Sequence, residues 1–250
     1  MNMHFTRNII KELLWNSTAQ RQELEKVYSL LPATRCRRRT HCCSMLPEMA
    51  LIEALAVIDR LKQLEPDRCK RIFIKIITYF FLNPLEILGC PFLDGRDCII
   101  YQSRFFGCRA YGLWSSEHYQ KIIDAGRRAK KYFQQQWHAV GIDLPSTVID
   151  YYMPYCADVE TEAGEGISDQ KLIDVSNQIN KLSQRFHPWH DAYGQGHFSD
   201  LSFLFASSVF GRKDAVRMKL AVVKDVVAKG SNEMLDKIID QLPEYCEYLD

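Results

Sequence analysis

The chain has 250 residues, 47% of them apolar, which is enough to bury a full hydrophobic core in one large domain. Its 32 Lys and Arg stand against 31 Asp and Glu, so no global field recruits nucleic acid or a membrane surface. No stretch reaches the ~20 consecutive apolar residues of a membrane span, because the richest run, Ile72 to Leu82, is broken by Lys75. The N-terminus, MNMHFTRNIIKELLW, lacks the long apolar core and small-residue cleavage site of a secretory signal, so a cytoplasmic protein is expected.

In chain order, Ser17 and Gln20 have the spacing of a capping box, which predicts helices over Phe5 to Trp15 and Thr18 to Leu31. A loop, Pro32 to Ser44, follows. Pro47 suits the first turn of a third helix, whose apolar stripe runs from Met49 to Leu64 and stops at Pro66. Asp67 can cap the next segment, Arg68 to Leu82, whose length favours a buried helix over a strand. Two helices joined so tightly predict an antiparallel hairpin, each arm ~25 Å long, whose open ends bring Cys42 and Cys43 beside Cys90.

Gly89 to Gly112 is rich in turn formers and contains one short strand candidate, Cys98 to Tyr101. It is expected as a long irregular loop, functional or pinned by something. Further helices are predicted over Ser116 to Val140, Ser168 to Phe186, Ser199 to Phe210, Lys213 to Lys229 and Ser231 to Leu242, with an exposed turn at Thr161 to Gly166. The expected fold is all-α, mostly helical, with irregular cysteine-rich metal-binding loops. A single domain spans 1–250, with the cysteine region, 36–112, embedded in a helical scaffold that continues over 113–250.

Nine cysteines are an odd count, and a reducing compartment disfavours disulfides, so metal ligation or redox chemistry remains for those that cluster. Cys36, Cys42 and Cys43 lie in CRRRTHCC, and Cys90, Cys98 and Cys108 in CPFLDGRDCIIYQSRFFGCR. Cys69, Cys156 and Cys246 stand alone and are expected as small buried hydrophobes. Crowded thiolates repel one another until a cation relieves them. Zinc takes four ligands tetrahedrally and a [4Fe-4S] cluster one thiolate per iron, so spacing alone leaves both open. Arg35, Arg37, Arg38 and Arg39 would offset the charge of a thiolate-bound centre.

On these residues the chain resembles the CxxCxxCC family, also called the YkgJ-like zinc- or iron-chelating domain. The family's second motif, CPFL and then C-x-I-Y-x-x-R-P-x-x-C-R, is matched by Cys90-Pro91-Phe92-Leu93 and by Cys98 to Arg109, with Phe105 in place of the proline. The first motif keeps Cys36, Cys42 and Cys43 but has Arg39 where the family's second cysteine stands. The match covers Cys36 to Tyr111, about a third of the chain. The resemblance implies an iron or zinc centre held by Cys36, Cys42, Cys43, Cys90, Cys98 and Cys108, with [4Fe-4S] preferred. Relatives such as the flagellin lysine methylases look like iron-sulfur proteins, but no single activity is implied. Tyr101, Arg104 and Arg109 travel with the motif. The resemblance gives them packing and charge compensation beside the metal, or hydrogen bonds to cluster sulfurs or to a substrate carboxylate or phosphate.

Outside that region, RFHPWHDAYGQGHF gathers His187, His190 and His197 with Trp189, Asp191 and Tyr193 in a glycine-containing loop. His187 and His190 could share a metal with His197 or Asp191. No standard zinc pattern fits, and an aromatic seal at one end of the helical domain, or a contact surface or substrate pocket, is the plainer reading. Tyr151, Tyr152, Tyr155 and Cys156 read as core or interface, and Arg127, Arg128, Lys130 and Lys131 as a solvated helix face. There is no phosphate-binding glycine loop, serine elbow, dinucleotide fingerprint or CxxxCxxC motif. The sequence therefore points to an iron-sulfur accessory protein that delivers electrons to a protein partner or helps mature or activate it. A cluster-containing transferase whose pocket includes the histidine loop, and a zinc-stapled interaction module, are the alternatives. Neither nucleic acid nor a membrane is expected as a partner, and the oligomeric state is left open.

Overall fold

The computed structural model describes residues 4–35, 41–161 and 166–242. In chain order these form α1 (Arg7–Asn16), α2 (Thr18–Tyr28), β1 (Thr34–Arg35), α3 (Leu51–Leu61), α4 (Pro66–Leu82), β2 (Leu93–Asp94), β3 (Asp97–Cys98), α5 (Phe106–Ala110), α6 (Ser116–Ala139), α7 (Ser146–Ile149), β4 (Glu160–Thr161), α8 (Asp169–Gln184), α9 (Trp189–His197), α10 (Leu201–Phe210), α11 (Arg212–Lys229) and α12 (Glu233–Asp240). Single 3-10 turns sit at His41–Cys43 and Tyr101–Ser103. The described chain is mostly helical, and its strands are two-residue pairs, β1 with β4 and β2 with β3, both antiparallel. No helix among the described residues is long and apolar enough to cross a membrane.

The helix starts follow local chemistry, though not always at the expected residue. Thr6 caps α1, accepting from the Ile9 amide at 3.4 Å, and Ile10, Leu13 and Leu14 then share the buried face. Ser17 makes no capping box: its hydroxyl donates to the Leu14 carbonyl and accepts from the Arg21 guanidinium, which uses it up. Pro47 precedes extended backbone, and α3 begins only at Leu51, where Glu53 accepts the Ala50 amide at 2.9 Å. Pro66 opens α4 at its first position, where a missing N–H costs nothing. Ser115, Ser168 and Asp200 cap α6, α8 and α10.

Packing departs from the expected hairpin. α3 lies against α1, α2, α8 and α9, whereas the main neighbours of α4 are α10, α11 and α12. Aromatic rings explain the preference of α4: Phe80 stacks on Phe203 at 5.5 Å between centroids, and Phe73 meets Phe205 at 6.0 Å. A smaller apolar group, Leu85, Trp137, Ile142, Leu144, Ile149 and Val223, attaches the ends of α6 and α11. The histidine segment is helix α9, not a loop. Phe5 holds it, with Trp189 at 5.0 Å and His197 edge-on at 5.1 Å, and Gly196 leaves room for the Arg212 guanidinium, so tertiary packing overrides two poor helix formers.

Candidate metal centre

Three stretches of chain meet at one cavity of about 320 Å³ lined by Cys42, Cys43, Cys90, Cys98 and Cys108. Hydrogen bonds tie these stretches together. The Cys90 amide donates to the Cys43 carbonyl at 2.7 Å, and the Leu46 amide donates to the Tyr79 hydroxyl at 3.0 Å, tying the 41–46 turn to the end of α4. These bonds, rather than helix pairing, bring the two cysteine segments together. Gly95, at φ 60°, turns the tight hairpin of β2 and β3, which sets Cys98 opposite Leu93. The Cys108 amide donates to the Phe105 carbonyl in the first turn of α5, and Phe92 and Phe105 pack edge-on beneath the cavity at 5.9 Å.

The thiols resist ionising together. The hydrogen bond with Cys43, whose sulfur is 3.8 Å away, holds Cys42 down from its usual 9.0 to about 7, with help from Arg104 and against burial. The same bond, then burial, pushes Cys43 far up. Burial pushes Cys90 up to about 12 and raises Cys98 and Cys108, and each feels the charge of neighbouring thiolates. Arg104 lines the cavity and pulls Cys42, Cys98 and Cys108 back towards ionisation.

The donors that line the cavity are thiols, the ligand type that both zinc and iron-sulfur clusters take. Four sulfurs about 2.3 Å from one zinc stand about 3.8 Å apart, the spacing of the Cys42 and Cys43 sulfurs. Among the described residues, however, no three Cys, His, Asp or Glu side chains form a group that could hold one metal ion.

Cys36 and Cys246 lie outside the described residues, as do Arg37, Arg38 and Arg39. Cys69 is buried in α4, and Cys156 is half-buried with its carbonyl near Gly112, so neither lines the cavity. Tyr101 and Arg104 do line it, the guanidinium lying 3.8 Å from the centre of the Tyr101 ring. Arg109 does not: its guanidinium donates to the carbonyls of Arg104 and Gln102 at 2.7 and 2.6 Å and lies over the Tyr28 ring. It clasps the loop that carries Tyr101 and Arg104.

Glu53 was not singled out from the sequence. It is only 4% exposed, and its carboxylate accepts from the Tyr28 hydroxyl at 2.5 Å, the Phe106 amide at 2.6 Å and the Ala50 amide. Burial raises its pKa, and these three bonds and Arg109 oppose that. Through Phe106 it anchors the start of α5, two residues before Cys108.

The three histidines do not converge on a metal. His187 is exposed and pairs with Asp191 at 3.3 Å. His197 is buried among Phe5 and Phe203, its Nδ1 3.2 Å from the Ala192 carbonyl, and burial lowers its pKa, which keeps it neutral. His190 lines a second cavity. The tyrosines at 151 and 152 sit over Lys130, whose ammonium donates to the Val148 and Tyr151 carbonyls, and Tyr155 tilts against Tyr119, so this group serves packing. Among relatives, no family model, no curated protein and no solved structure matches the chain.

Proposed function

We propose that the chain is a cytoplasmic accessory protein that holds one [4Fe-4S] cluster through thiolates drawn from Cys42, Cys43, Cys90, Cys98 and Cys108. The observation that carries this reading is the shared cavity of five thiols with an arginine at its wall. When bound, the cluster supplies one-electron chemistry. Arg104 and Arg96 offset its negative charge, Phe92, Ile100 and Phe105 shield one side from water, and Tyr101 stands exposed at the rim. An exposed rim suits electron delivery to a protein partner, or the maturation or activation of a partner enzyme. The likeness to the CxxCxxCC family supports the same reading, with Arg39 replacing a family cysteine that the five remaining thiols and Cys36 make unnecessary.

The test is iron content of protein purified without oxygen. Cys90→Ser and Cys108→Ser should each lose most of the iron, and Cys156→Ser, outside the cavity, should keep it. Full iron in all three variants would remove the site.

A further inference from the structure

A second cavity, of about 280 Å³, lies on the other side of α5. Phe105 and Cys108 face the thiols, whereas Phe106 and Gly107 line this one, so a single helical turn separates the two. Its other walls come from the 48–53 segment, α8 and α9.

Two polar groups here are unspent. Tyr193 is 1% exposed, yet its hydroxyl has no hydrogen-bond partner, and the buried Nδ1 of His190 has none either. A buried hydroxyl left unpaired is destabilising, so two such atoms on one cavity mark a site shaped for something else. Asn180 and Ser176 add neutral polar groups. Glu48 stands at the mouth and makes no hydrogen bond or ion pair within the described residues, and Glu53 lines the wall. No Lys or Arg lines the cavity, and the charges of Asp200, Glu53 and Glu48 all act on the Tyr193 hydroxyl. Ser199, in the same wall, and Phe198 before it both hold φ at 52°, a left-handed conformation that non-glycine residues adopt at a cost.

We propose that this cavity binds a small organic cation carrying N–H groups, with its charge against Glu48 and its N–H groups donating to Tyr193 Oη and His190 Nδ1. An anion would meet the carboxylates of Glu48 and Glu53 and, among the described residues, no Lys or Arg. The rings of Phe106 and Tyr193 suit a cation further. The site goes beyond the cluster reading and does not depend on it, because none of the thiols lines this cavity.

The test titrates the full chain, purified without oxygen, with n-butylammonium chloride, and in parallel with sodium butyrate, using ligand-observed NMR. Saturable binding of butylammonium is expected in the millimolar range, as befits so few atoms, with no binding of butyrate. Glu48→Gln should weaken it about tenfold. Tyr193→Phe should weaken it several-fold without lowering the melting temperature, because the substitution deletes an unpaired hydroxyl. Absence of butylammonium binding, equal binding of butyrate, or affinity unchanged in both variants would overturn the proposal and leave the cavity to water.

Discussion

Glu53 joins three segments with one carboxylate, and its loss should be felt at a distance. Glu53→Ala leaves the Tyr28 hydroxyl and the Phe106 and Ala50 amides without their acceptor, and should lower stability by about 3 kcal/mol in urea denaturation. It should also lower metal content, since the turn carrying Cys108 loses its anchor. Full metal loading in the variant would show that α5 is held by other means. Cys42 makes a second residue-scale prediction. One thiol of the Cys42 and Cys43 pair is more acidic folded than unfolded, so iodoacetamide labelling of the metal-free protein should show a step near pH 7 that is lost when both are replaced by serine. For the same reason the metal-free fold should gain stability as pH rises from about 7 towards 9.0. Above that it should lose stability, because the unfolded chain releases protons that folded Cys90, Cys98 and Cys108 retain. A flat labelling profile across neutral pH would contradict the assignment.

At the scale of elements, α8, α11 and α4 were legible to within a few residues, from the Ser168 cap, from the Gly230 stop and from the length of an apolar run opened by Pro66. α9 was not legible. Its Gly194 and Gly196 disfavour helix locally, and the rings of Phe5, far away in sequence, supply what propensity lacks. The convergence of the cysteine segments was expected from a hairpin of α3 and α4, which is not how these helices mainly pack. The bonds that achieve it, from Cys90 to Cys43 and from Leu46 to Tyr79, leave no local signal, and neither do the partners of Glu53, which lie 25 and 53 residues away. Two glycines should respond oppositely to alanine. At Gly112, φ is 82° and an added Cβ would stand 2.4 Å from Val159 Cγ2, so Gly112→Ala should cost about 2 kcal/mol or more. At Gly194 a Cβ meets nothing within 4 Å, so Gly194→Ala should stabilise by about 0.5–1 kcal/mol. Thermal denaturation of the two variants distinguishes them, and the same sign for both would contradict the local geometry.

For the whole molecule, the thiol cavity is built on the helical core, since Phe92, Ile100 and Phe105 line it and belong to that core, and Cys90, Cys98 and Cys108 pack against it. α4 is held by α10, α11 and α12, and α3 by α1, α2, α8 and α9, so the contacts between these helices form the frame on which the cysteine-bearing turns rest. A soft centre bound there, as proposed, would relieve the crowding of five thiols at one place. Iron and acid-labile sulfide, measured together with zinc on protein kept from oxygen throughout, test this most directly. About four iron and four sulfide per chain, with a broad band near ~400 nm that bleaches with dithionite, is the predicted result. A colourless protein carrying one equivalent of zinc, or no metal at all, would contradict it.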